Sequence, residues 1–220
     1  MAISKSSLSI SGQHYLFTAQ TLAHLILARG GDNYHYVFRS QKTEEIFDDV
    51  QSEASELGVI MLTSQTEEVI KKDLDSRGLT FTKLAESKPQ VALPKSHPLV
   101  NASELSLDEL EDWPYVYFEQ NPDNSWHYFE EALSDYPRTK TLATTDRASL
   151  TELIVALNGY TITSGILVGI SDGGSLHTLP LKTDVLIQLG IVTKKDAELG
   201  ELGEDFVRRL KKILDRYARI

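Results

Sequence analysis

The run Leu57-Gly58-Val59-Ile60-Met61-Leu62 limits the fold most. Six residues without a polar side chain cannot offer one face to water, so a strand made of them needs cover on both sides, the pattern of a parallel sheet between helices. The flanking sequence supplies that cover. Ser40 precedes a predicted helix carrying Ile46, Phe47 and Val50, and a second helix carrying Val69, Ile70 and Leu74 ends at Gly78. Earlier, Leu8 to Ser11 alternates as a strand, and so do Tyr34, Tyr36 and Phe38 with His35 and Val37 between them. Strand and helix in turn make an α/β chain.

The helix predicted from His14 to Ala28 carries Tyr15, Leu16, Phe17, Leu22, Leu25, Ile26 and Leu27, more apolar surface than one buried stripe requires. Either its own chain buries it all round, or, the preferred reading, a second subunit covers the excess. Downstream, Leu79 to Leu84 reads as a strand, Gln90 to Pro94 as a strand stopped by proline, Ser106 to Trp113 as a short helix and Tyr115 to Phe118 as a strand. A helix is expected from Ser125 to Leu133, with Trp126, Tyr128 and Phe129 on it. Thr144 to Ile162 is the most informative later stretch: a polar start, then Leu150, Leu153, Ile154 and Leu157 at helical spacing, a stop at Asn158-Gly159, and a strand at once. Two strand-like runs, Leu176 to Leu181 and Val185 to Val192, lead to a closing helix with Phe206, Leu210 and Leu214 on one face.

The 32 acidic against 22 basic residues leave a formal charge of −10, which argues against a nucleic-acid grip by these residues, because phosphate neutralisation needs a basic face. Basic residues cluster only from Arg208 to Arg219, near a helix C-terminus where they complement the dipole. The apolar runs fall short of a bilayer span and the polar Ser4 to Ser7 is no signal-peptide core, so no membrane is expected and the expected location is cytoplasmic. With no cysteine, disulfides, thiolate metal sites and cysteine catalysis drop out together.

Catalytic constellations fare no better. Gly169-Ile170-Ser171-Asp172-Gly173 spells the nucleophile elbow, but a strand-like run rather than a helix follows, so a turn is expected. The six histidines include no helical metal pair, and no glycine-rich phosphate loop is present. The pairs Glu44-Glu45, Asp48-Asp49 and Glu130-Glu131 read as surface charge on helices. No enzyme activity, metal or cofactor is expected.

Four stretches in order carry a resemblance. They are the polar helix start and strand from Thr144 to Ile162, the segment from Asp49 to Ile60 with its acidic-hydrophobic-glycine-hydrophobic pattern, Pro94-Lys95-Ser96-His97-Pro98-Leu99, and the closing Phe206 to Leu214. Together they resemble the effector-binding region of LysR-type transcriptional regulators, over nearly the whole chain. The family's N-terminal winged helix-turn-helix has no counterpart here, so DNA binding is expected only through a domain of a longer parent protein.

The resemblance implies an α/β, two-lobed type 2 periplasmic-binding-protein-like fold with two crossover strands, near Val91 to Leu93 and Leu189 to Val192. Lobe I would comprise residues 1–90 and 190–220, and lobe II residues 91–189. A small-molecule effector would lie between the lobes, against Ser11, Gly12, Gln13, Ser40, Gln41, Thr43 and Thr63 from one side and Thr144, Thr145, Thr163 and Ser164 from the other. A homodimer would form through the helix His14 to Ala28, the strand Tyr34 to Phe38 and the helix Trp126 to Leu133. The alternative from another class is a solute-binding protein that delivers a ligand to a transporter; the over-apolar first helix speaks against a monomeric carrier.

Overall fold

A computed structural model describes residues 6–121, 125–168 and 174–217. Its larger sheet holds β1 (Ser6–Gly12), β2 (Tyr34–Ser40), β3 (Leu57–Thr63), β4 (Leu79–Ser87) and β10 (Ile187–Lys194), in the order β2-β1-β3-β10-β4. β1 runs parallel to β2 and β3, whereas β10 is antiparallel to both β3 and β4, so the sheet is mixed rather than wholly parallel. Every residue of β3 is buried. Leu57, Val59 and Met61 face α1 (Leu16–Arg29) and the closing helix α5 (Glu201–Tyr217) in one core, while Ile60 and Leu62 face α2 (Thr43–Gln51) and α3 (Glu67–Ser76) in another. The glycine in this run has a steric cause: a Cβ on Gly58 would lie 2.5 Å from Ile46 Cγ2, so α2 seats on the sheet only if that position is bare.

The second sheet is β8 (Thr161–Thr163), β5 (Gln90–Pro94) and β9 (Leu176–Pro180), with β5 in the middle and antiparallel to both neighbours. Beside it, β6 (Tyr115–Phe118) and β7 (Thr141–Thr144) pair in parallel, and Val116 N–H donates to Tyr160 C=O at 2.9 Å. α4 (Arg147–Leu157) packs Leu150 and Ile154 against Val116 and Phe118. Its start is the predicted polar one, with Asp146 Oδ1 accepting Ser149 N–H at 2.8 Å, and its stop is Asn158 at φ 52°, a left-handed C-cap. The chain leaves the large sheet between Ser87 and Gln90 and rejoins it between Pro180 and Ile187, without a linker.

Three expectations change. The helix from His14 begins at Leu16, leaving His14 and Tyr15 extended ahead of it. The helix from Ser106 to Trp113 shrinks to a 3₁₀ turn, Asp108–Leu110. The helix from Trp126 to Leu133 is absent: a single 3₁₀ turn, Trp126–Tyr128, is followed by extended chain and turns, with Leu133 at φ 60°. Aromatic spacing there meets the helical period, yet Tyr128 and Phe129 are claimed by partners on different elements. Tyr128 reaches Asp73 and Phe47, and Phe129 packs at Tyr117. The residues read as an accidental nucleophile elbow, 169–173, lie outside the described residues.

Candidate functional site

The two sheets face each other across a cleft whose first wall is the end of β1 and the start of α1. Gln13 is 1% exposed, and both ends of its amide are used: Oε1 accepts Met61 N–H at 2.7 Å and Nε2 donates to Thr43 Oγ1 at 2.8 Å. Thr43, the first residue of α2, turns to the opposite wall, donating its hydroxyl to Tyr128 C=O at 2.8 Å and its N–H to Gln120 Oε1 at 3.3 Å. Gln41 accepts from Ser11, whose Oγ also meets Asp49 at 2.5 Å and Ser55 at 2.8 Å, so Ser11 lies in a polar knot beneath the wall. Gly12 sits among Phe38, Thr18 and Val59, which a Cβ would touch at ordinary contact distance, and Ser40 is exposed. Thr63 ties Gln65, Thr66 and its own turn at the start of α3.

On the second wall Thr163 is buried and lines the cleft with Thr161, Phe118 and Arg147. Thr144 is buried at the end of β7, where its C=O accepts Glu119 N–H, while Thr145 is exposed. Ser164 lies at the passage between the sheets, its C=O accepting Ser87 Oγ at 2.8 Å. Of the residues expected from sequence, Thr43 and Thr163 reach the cleft space, Gln13 holds the wall's frame, and Ser11 and Thr63 are absorbed by their own lobe.

The chain itself fills the centre. Glu130 and Glu131, read from sequence as surface charge, are 3% and 5% exposed and lie outside any helix. Glu130 Oε2 accepts His14 N–H at 2.8 Å, and its Oε1 stands 2.8 Å from His14 Nδ1 and 3.2 Å from Gln120 Nε2. Glu130 C=O accepts Tyr15 O–H at 2.9 Å, and the His14 ring stacks on Phe118 with centroids 4.2 Å apart. Glu131 points the other way, its Oε1 accepting Phe118 N–H at 2.9 Å. Burial, reinforced by the neighbouring Glu130 charge, pushes the Glu131 carboxyl well above the usual range, and the same burial raises the Tyr15 phenol. His14, Tyr15, Phe118, Gln120, Glu130, Glu131 and Arg147 had no sequence signal except that an acidic pair lies inside an aromatic run.

The remaining space among Tyr15, Phe118, Glu130, Glu131, Arg147 and Thr163 is about 10 Å³, room for one water at most. A larger hollow of about 390 Å³, between Trp113, Tyr136 and Arg138, lies outside the cleft. Among the described residues no group of three or more His, Asp or Glu is placed to hold a metal ion, and no helix is long and apolar enough to cross a membrane.

The fold has counterparts among solved structures. HinK, a LysR family transcriptional regulator from Pseudomonas aeruginosa, matches with a TM-score of 0.66 at 17% identity, over 96% of this chain and 71% of its own. The effector binding domain of QuiR in complex with shikimate matches at 0.66 and 12% identity, over 98% of this chain and 100% of its own. The BenM effector binding domain with its effector benzoate matches at 0.65 and 14% identity, over 98% of this chain and 94% of its own. At such identities the likeness shows the fold alone, and no curated protein matches the sequence. The family model of the LysR substrate binding domain, however, matches residues 33–215, most of the chain. This chain therefore belongs to the LysR substrate-binding domain family.

Proposed function

We propose that the chain senses a small molecule between its two lobes and passes the lobe geometry to a longer regulator, in which a separate N-terminal domain meets DNA. The observation that carries this reading is the cleft itself: polar groups of His14 and Thr43 on one wall face Gln120, Thr163 and Arg147 on the other. Lobe I is taken as residues 1–90 and 190–220 and lobe II as 91–189, so that β5 and β10 are the strands on which the lobes turn. Two copies pair through α1 and β2, where Leu27 is 86% and Tyr34 52% exposed. The segment from Trp126 to Leu133 is folded against the cleft and takes no part in that interface. Because effector binding stabilises the occupied state, a ligand at a hundred times its dissociation constant raises stability by roughly 2.7 kcal/mol. A thermal-shift screen of organic acids, amino acids and sugars, starting with shikimate and benzoate, tests the reading. A hit whose shift disappears in Thr163→Val supports the cleft. Hits that all survive that substitution and His14→Ala place the ligand elsewhere and refute it.

A further inference from the structure

The cleft of a domain that binds a small molecule should have room for one, and among the described residues the space between Tyr15, Phe118, Arg147 and Thr163 is about 10 Å³. What fills it is a strap of the chain's own. Leaving β6, residues 119–121 and 125–131 are fastened to the other lobe at three points: Lys42 pairs with Glu119 at 3.1 Å, Asn121 donates to Glu44 at 3.1 Å and Tyr128 O–H donates to Asp73 at 3.1 Å. At the strap's deepest point the Glu130 carboxylate has a backbone N–H, an imidazole and an amide around it. It lies just ahead of α1, whose first turn has no acidic residue and whose N-cap position offers no side-chain cap. The helix dipole and the His14 N–H thus meet a carboxylate delivered from 116 residues away. The next residue, Glu131, returns to lobe II through Phe118 N–H, so two adjacent glutamates clasp one wall each.

We propose that Glu130 is a tethered occupant of the cleft: its carboxylate holds the lobes closed without an external ligand, and a ligand bearing a carboxylate switches the domain by taking its place. This rests on the reading of the cleft as the ligand site. A tethered group competes at a high effective concentration, so an external ligand sees only the fraction of molecules whose strap is released, and its apparent affinity falls by that fraction.

The test removes the occupant and returns it in solution. Glu130→Ala deletes Cγ and the carboxyl group, which together have the size and charge of acetate. The variant is expected to melt lower than the parent chain, and acetate to restore at least half of the lost melting temperature, while chloride at equal ionic strength does not. In Glu130→Ala combined with His14→Ala the acetate effect should weaken, because the imidazole is lost while the residue-14 N–H and the Gln120 amide remain. The chain contains no cysteine, so spin labels on Lys72→Cys and Glu152→Cys, both exposed and on α3 and α4, report the distance between lobes. A single distance in the parent, a second and longer population in Glu130→Ala, and its loss on adding acetate would support the strap. No acetate effect on the variant, or an equal effect on the parent, overturns it. Should Glu130→Ala fail to fold, Glu130→Gln keeps the volume and removes the charge; a distance distribution identical to the parent's overturns the proposal. Acetate rescue needs no effector, so rescue without any hit in the ligand screen would support the strap while refuting the effector reading. Any carboxylate that does bind the parent should bind Glu130→Ala about tenfold tighter or more.

Discussion

Gln13→Ala offers a sharp test of how the cleft wall is held. The side chain is almost wholly buried, and its amide bridges two elements, accepting Met61 N–H from β3 and donating to Thr43 at the start of α2. Truncation leaves the Met61 N–H without that partner inside the protein, which costs about 1–3 kcal/mol, and the second hydrogen bond adds about 1 kcal/mol. Releasing a glutamine side chain from one rotamer returns up to about 2 kcal/mol. Thr43 keeps its bond to Tyr128 C=O and loses only a donor. With the void left by the amide included, the net loss is about 3 kcal/mol, or roughly 6–12 °C of melting temperature for a domain of this size. Gln13→Glu separates the two bonds. A carboxylate still accepts from Met61 N–H, but it cannot donate to Thr43, so an accepting oxygen then faces an oxygen whose proton is already committed. Urea unfolding of the three chains measures both effects. Loss below about 1 kcal/mol in Gln13→Ala would refute the bridge, since it would mean that water reaches Met61 N–H. Equal stability of the parent and Gln13→Glu would refute the assigned amide orientation.

Other perturbations follow from the same structure. The raised Glu131 carboxyl means that the folded chain binds a proton more readily than the unfolded chain, so its contribution is fully present below the ordinary glutamate range and is lost as pH rises through the folded-state value. Glu131→Gln should therefore melt higher than the parent at pH 8 relative to pH 5, and parallel pH profiles would sink the assignment. Gly190→Ala would put a Cβ 2.3 Å from Thr82 C=O, where β10 shifts register against β4, and should cost about 3 kcal/mol in urea unfolding; a neutral substitution would mean that the backbones part easily. Leu27→Glu changes a side chain exposed in the single chain, so its own fold should move by less than about 0.5 kcal/mol, while sedimentation should show loss of the proposed dimer. A dimer of unchanged strength would remove α1 from the proposed interface.

Much of the frame is written locally. The apolar run Leu57 to Leu62 specifies a strand covered on both faces, Asp146 and Asn158 bracket a helix by capping chemistry, and proline ends the strand at Pro94. These follow from side-chain polarity and backbone preference within a few residues, which a single sequence displays. Direction and partner choice are different. That β10 enters antiparallel between β3 and β4 depends on where the chain returns from the second sheet, and no periodicity records it. The strap is the clearest case. Trp126, Tyr128 and Phe129 have the spacing of a helix face, and Glu130-Glu131 has the composition of a solvated one, yet Tyr128 and Phe129 find separate tertiary partners and both carboxyl groups are buried. A carboxylate is stable there only because a backbone N–H, an imidazole and an amide converge on it, the first two from residue 14 and the third from residue 120. The sequence by itself determined the alternating α/β frame and the polar starts of its helices, because those depend on neighbours along the chain. Only the tertiary structure decided that the cleft closes on Glu130, because that depends on groups brought together across 116 residues.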